Sequence, residues 1–152
     1  MAKILDTQAY LDTVCALLRE GHTHVPVTVA GTSMTPFFDP GDTVYLDLPD
    51  RPIEAGDVIL FARFGQKYVL HRVVRVFEDG TLELLGDAQI RSERVDPEHV
   101  RAVVTGLRRG EKFYDEKSLR WRFFRGPWHY IRRSRPFINR VRNHLRRYKA
   151  PL

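Results

Sequence analysis

Two residues of this chain carry the chemistry of a nucleophile and its base. Ser33 stands in Gly31-Thr32-Ser33-Met34-Thr35-Pro36, directly after the apolar run Val25 to Ala30. His71 lies in the middle of a second β-rich run, Lys67 to Phe77. A serine hydroxyl attacks only when a neighbour removes its proton. An imidazole, with an unperturbed pKa of ~6.5, can do this near neutral pH. A carboxylate is the best third group to fix the ring's tautomer. The reacting carbonyl also needs donors for its developing charge. The Ser33 backbone N–H is a candidate donor, and Gly31, without a Cβ, lets a substrate backbone come close.

The elements that must position this pair follow from periodicity. A helix is expected over residues 6–20, capped by Asp6 or Thr7 and followed by Gly21. Leu11, Val14, Cys15 and Leu18 fall at i, i+3, i+4 and i+7 and make one apolar packing face. Short strands are expected at Val25–Ala30, Thr43–Asp47, Asp57–Ala62, Lys67–Phe77, Thr81–Leu85 and Val100–Gly106. Turn sequences punctuate them, and Asp79-Gly80 between two runs is a hairpin signal. Many strands with no helix between them imply a mainly β fold, an antiparallel core with a helix before it and a helical tail after it. The expected organisation is residues 1–24 as the amphipathic helix, 25–110 as the β domain and 111–152 as a C-terminal extension.

The net charge of +6 conceals an asymmetry. Residues 111–152 hold 13 Lys and Arg against 3 Asp and Glu, whereas residues 1–110 hold 12 against 16. The basic segment is interleaved with Trp121, Phe123, Phe124, Trp128, Tyr130 and Phe137. Its last helix, opened by Pro136, has Ile138, Val141 and Leu145 as a stripe flanked by Phe137 and Tyr148. Such a segment suits an anionic membrane surface or a protein partner; single-stranded nucleic acid ranks below these, and packing on the β core is the plain alternative. The single Cys15 excludes an internal disulfide and a thiolate metal site. His22, His24, His99, His129 and His144 lack ligand spacing, so no metal or other cofactor is expected. No signal peptide and no run of about 20 apolar residues is visible. The expected location is therefore the cytoplasm, with peripheral membrane association open to the basic segment.

Five motifs occur in a fixed order: Gly31-Thr32-Ser33-Met34-Thr35-Pro36, Gly41-Asp42, Gly56-Asp57-Val58-Ile59-Leu60-Phe61, His71-Arg72-Val73-Val74 and Gly86-Asp87-Ala88, closed by Val103 to Gly106. This set resembles the signal peptidase family of serine peptidases, in the branch that uses histidine as base. The same clan includes the self-cleaving domains of SOS-response repressors. The resemblance implies a coiled antiparallel β catalytic core and an acyl-enzyme at Ser33, with His71 as general base and Arg72 as a structural neighbour. It implies a cleft lined by Gly31, Thr32, Met34 and Pro36 that favours small side chains at the cut. Asp87 is the first choice for the third catalytic residue and Asp96 the second; a Ser/His dyad is also open. The membrane-anchoring helices of the family are missing from this pattern.

Taken singly, Ser33 could be a turn residue and His71 a half-buried strand histidine. Asp42 and Asp57, each after a glycine, read as turn acids. Two further functions compete with a peptidase acting on a peptide or precursor protein. One is a self-processing regulator, although only about 24 residues precede the core, too few for a DNA-binding helix-turn-helix. The other is a catalytically silent peptide-binding module.

Overall fold

The computed structural model describes residues 2–63, 67–131 and 135–149. Helix α1 (Ala2–Arg19) leads into strands β1 (Val25–Thr28), β2 (Thr43–Asp47), β3 (Val58–Arg63), β4 (Lys67–Val76), β5 (Leu82–Leu85) and β6 (Glu93–Val95). Strands β7 (Val100–Arg109) and β8 (Lys112–Tyr114) follow, then helices α2 (Leu119–Arg125), α3 (Pro127–Tyr130) and α4 (Arg135–Lys149). The strands form one antiparallel sheet in the order β1-β2-β7-β3-β4-β5-β6, with β8 paired to β7. The mainly β class with flanking helices is thus the observed one.

The two-residue alternation of β3 explains how one sheet serves two cores. Val58 and Leu60 join a large cluster with Leu11, Val14, Cys15 and Leu18 of α1, while Ile59 and Phe61 join a second cluster with Val73, Leu82 and Leu84. A strand buried on both faces reads as a continuous apolar run, which Val58 to Phe61 does. The apolar face expected for α1 is the buried one. The helix begins at Ala2 rather than at residue 6, and the side chains of Asp6 and Thr7, the expected caps, lie outside the described residues.

Strands β6 and β8 were not expected. Each has three residues and little apolar pattern, and each exists by pairing at the sheet margin, β6 with β5 and β8 with β7. The Asp79-Gly80 hairpin is present between β4 and β5. Gly80 has φ +86°, and the Phe77 N–H donates to the Thr81 carbonyl at 2.9 Å. The basic C-terminal segment is integral to the core. Trp121, Phe124 and Trp128 are buried, with Phe37 5.2 Å from the Trp121 ring and 5.0 Å from the Phe124 ring. The stripe read on the last helix divides: Ile138 packs against the core, while Val141 and Leu145 face solvent. The Tyr148 side chain lies outside the described residues.

Candidate active site

β1 ends at Thr28, and the chain then turns through Ser33 to Phe37. Gly31 has φ +83°, a conformation open to glycine at little cost. The turn closes on itself: the Thr35 N–H and hydroxyl both donate to the Thr32 carbonyl, at 3.1 and 2.8 Å. The Phe38 N–H donates to the Met34 carbonyl at 2.9 Å. Met34 is buried beneath, and Ser33 is half-buried at the top.

Ser33 and His71 line the same cleft, of about 480 Å³. Gly31, Thr32 and Met34 line it as expected, together with Leu11 of α1, Leu60 of β3 and Gln89. Pro36 does not. It is buried behind the turn, and its carbonyl accepts a hydrogen bond from Arg120 Nη2 at 2.7 Å. Among the described residues no hydrogen bond joins Ser33 Oγ to the imidazole.

The cleft follows the edge of β4. Tyr68 and Leu70 on one face of the strand line it, and so do Val69 and His71 on the other. The ladder explains why: β3 pairs the whole of Lys67 to Arg72, but β5 pairs only Arg72 to Val76. The edge from Lys67 to His71 is therefore unpaired. On the opposite wall β1 is itself an edge strand, paired among the described residues with β2 alone. Its outward Pro26 carbonyl accepts the Tyr10 hydroxyl at 3.0 Å, and Thr28, two residues on, faces the same way.

Asp87 makes no hydrogen bond to the ring, and its charge reaches His71 only through space. Its two carboxylate oxygens each accept from Arg72, from Nε and from Nη2, both at 2.8 Å, and both residues are fully buried. Alternation is the reason. Arg72 pairs with Leu85 across the ladder, so Asp87, two residues past Leu85, continues on the Arg72 side while His71 points to the other. Arg72 Nη1 also donates to the Gly56 carbonyl at 2.8 Å, and its guanidinium lies 4.8 Å from the Phe37 ring centre. The Gly86-Asp87-Ala88 motif is thus a bracket for the serine turn. The Ala88 N–H donates to the Ser33 carbonyl at 2.9 Å, and a Cβ on Gly86 would stand 2.6 Å from that same oxygen. Asp96, the second choice, is exposed at the start of the 3-10 turn Pro97–His99 and has no contact with His71.

The acid beside the ring is Glu93, which sequence reasoning did not single out. Val73 pairs with Leu84, and Leu84 pairs with Glu93. Glu93 therefore shares a face with Val73 and with His71, two residues earlier. His71 Nδ1 lies 3.2 Å from Glu93 Oε1, an electrostatic contact without a formed hydrogen bond. Arg63, on the same face at the end of β3, grips Glu93: Nε donates to Oε2 at 3.1 Å and Nη2 to Oε1. His71 is 3% exposed. Burial pushes its pKa below the ordinary imidazole value; the Glu93 charge opposes this shift and the Arg63 charge adds to it. This balance favours the neutral ring, the form a proton acceptor needs.

A curled antiparallel sheet with a turn-borne serine and a strand-borne histidine on one cleft defines a candidate serine hydrolase of the β type. A family profile described as Peptidase S24-like matches residues 2–104, and the chain belongs to that family. A comparison with curated proteins finds no match.

The match ends at residue 104, yet side chains beyond it hold the serine turn. Arg120 Nη2 donates to the Pro36 and Phe37 carbonyls at 2.7 and 2.8 Å, and Asn139 Nδ2 donates to the Thr35 carbonyl at 3.2 Å. Asp39, buried at the end of the turn, receives Arg109, Arg142 and Arg146. Asp42 caps the Asp39 N–H at 2.7 Å and takes Arg109 at 2.6 Å. The reading of Asp42 as a turn acid holds. So does that of Asp57, whose carboxylate receives the Glu54 N–H at 3.0 Å and is paired with Arg51 and Arg125.

Proposed function

We propose that this protein is a serine endopeptidase in which Ser33 is the nucleophile and His71 the general base, the arrangement of the histidine-type signal peptidases that its motifs resemble. The observation that carries this is the shared cleft: a turn serine and a buried histidine line one apolar channel whose walls are strand edges unpaired among the described residues. Such edges suit an extended peptide, which adds as a strand through its main chain while alternate side chains enter pockets. Glu93 beside Nδ1 favours the tautomer with its proton there, leaving Nε2 as acceptor. In this role Glu93 replaces the expected Asp87.

In the reaction His71 Nε2 takes the Ser33 proton as Oγ attacks the scissile carbonyl carbon. The same proton passes to the leaving amine as the C–N bond breaks. Water, deprotonated by the same nitrogen, then releases the acyl group. The Ser33 N–H donates to no described group, which leaves it available as a donor to the oxyanion in this reading.

The test is cleavage of an unbiased peptide pool by the purified chain, with cut sites mapped by mass spectrometry. The wild type should cut after small residues. Ser33→Ala should lose about 10⁴-fold or more while keeping the wild-type melting curve, and His71→Ala, which leaves a cavity in the core, should lose as much when assayed well below its own melting temperature. Cuts that persist in Ser33→Ala refute the assignment. Intact-mass measurement of the same samples separates cleavage of other chains from self-processing, which would leave a shortened species absent in Ser33→Ala.

A further inference from the structure

The helix α4 (Arg135–Lys149) has a docked face and a free one. Ile138, Asn139, Arg142 and Arg146 meet the body of the protein. About a third of a turn around the helix, Phe137, Val141 and Leu145 succeed each other at i, i+4 and i+8, exposed by 66, 42 and 56%. Arg140 and Arg147 lie beside this row, exposed and without a carboxylate partner among the described residues. The helix holds six Lys and Arg and no acidic residue. A low overall hydropathy combined with a sharp segregation of apolar and cationic side chains is the pattern of a helix that lies in a lipid interface.

We propose that the free face of α4 is a docking surface for an anionic lipid leaflet. Charge complementarity selects this occupant: the unpaired arginines meet headgroup phosphates, while Val141 and Leu145 enter the acyl boundary. A nucleic acid rewards cations and flat rings but gains nothing from a branched aliphatic row. The docked face stays engaged, so a lipid-seated α4 carries the Ser33 turn with it through Asn139, Arg142 and Arg146. Lipid binding of this kind does not require Ser33 to be a nucleophile.

The test is flotation of the full chain with vesicles of phosphatidylcholine, with and without one-third phosphatidylglycerol. The protein should partition to the anionic vesicles and release as salt rises. Arg140→Gln with Arg147→Gln should weaken partitioning by about 25-fold, since each cation near such a surface contributes about fivefold. Val141→Asp with Leu145→Asp should weaken it by at least about tenfold. Both variants should keep the wild-type melting curve, because all four positions face solvent. No partitioning to anionic vesicles overturns the proposal. So does equal partitioning to both vesicle types, full retention in the Val141→Asp/Leu145→Asp variant, or binding of single-stranded RNA in place of vesicles.

Discussion

The pairing of Arg72 with Asp87 yields a prediction that separates a bracket from a catalytic acid. Both side chains are fully buried, and Asp87 has no other described hydrogen-bond partner. Asp87→Ala leaves the guanidinium buried beside Phe37 with only the Gly56 carbonyl to satisfy it. Breaking one side of such a pair costs about 3–5 kcal/mol, a large share of the roughly 5–15 kcal/mol that holds a domain folded. Replacing both partners, as in Arg72→Met/Asp87→Leu, removes the stranded charge. What remains is the loss of a donor to the Gly56 carbonyl, about 1–3 kcal/mol. Urea unfolding should therefore show the double variant more stable than Asp87→Ala by about 2 kcal/mol. Peptide cleavage gives the second readout. His71 points to the opposite face, so the double variant should recover to within about tenfold of wild type. An acid that oriented the imidazole would leave the rate down by about 10⁴-fold even in a folded protein. A double variant no more stable than the single, or one that is stable yet inactive, would refute the bracket.

The acid limb of the cleavage pH profile should lie below the ordinary imidazole value of ~6.5, because burial depresses the His71 pKa. Glu93→Gln removes the opposing charge and should move that limb further down while lowering the plateau rate. The same depression has a stability sign: the unfolded chain binds the proton more readily, so this contribution is present above the unfolded pKa and is lost as pH falls toward the folded one, which acid titration of the wild type against a His71→Phe variant would measure. Gly86→Ala places a methyl 2.6 Å from the Ser33 carbonyl and should cost about 1–3 kcal/mol in thermal unfolding, with a lower cleavage rate. Asn139→Ala should lower kcat about tenfold with little change in KM and with about 1 kcal/mol of stability lost, and Asn139→Gln should not restore it, since the Thr35 contact depends on the amide's reach.

The strands that bury apolar side chains were legible. Thr43–Asp47 is found at its expected bounds, and β3, β4, β5 and β7 lie within a residue or two of theirs at their N-terminal ends. That Ser33 and His71 line one cleft was foreshadowed by a turn sequence and a β-rich run, which set one at a strand end and the other within a strand. Glu93 was not. It sits on a three-residue strand with no apolar pattern, and only the ladder through Leu84 brings it to the ring's side. Asp87 was expected beside the ring because its Gly-Asp motif stands next in the ordered series, whereas its carboxylate is engaged by Arg72 on the other face of the strand. The role of Arg120, Asn139, Arg142 and Arg146 was hidden for a similar reason. A run of basic residues reads as solvated charge until the fold shows which carbonyls it meets.

Those four residues set an order of events during synthesis. Chains leave the ribosome from the N-terminus at roughly 5–20 residues per second. When residue 104 has emerged, the serine, the histidine and both walls of the channel already exist, but the carbonyls of Thr35, Pro36 and Phe37 still lack the donors that come from residues 120 and 139. In a growing chain the turn that carries Ser33 is thus made well before the side chains that brace it, and a chain cut before residue 120 leaves those three carbonyls without these donors.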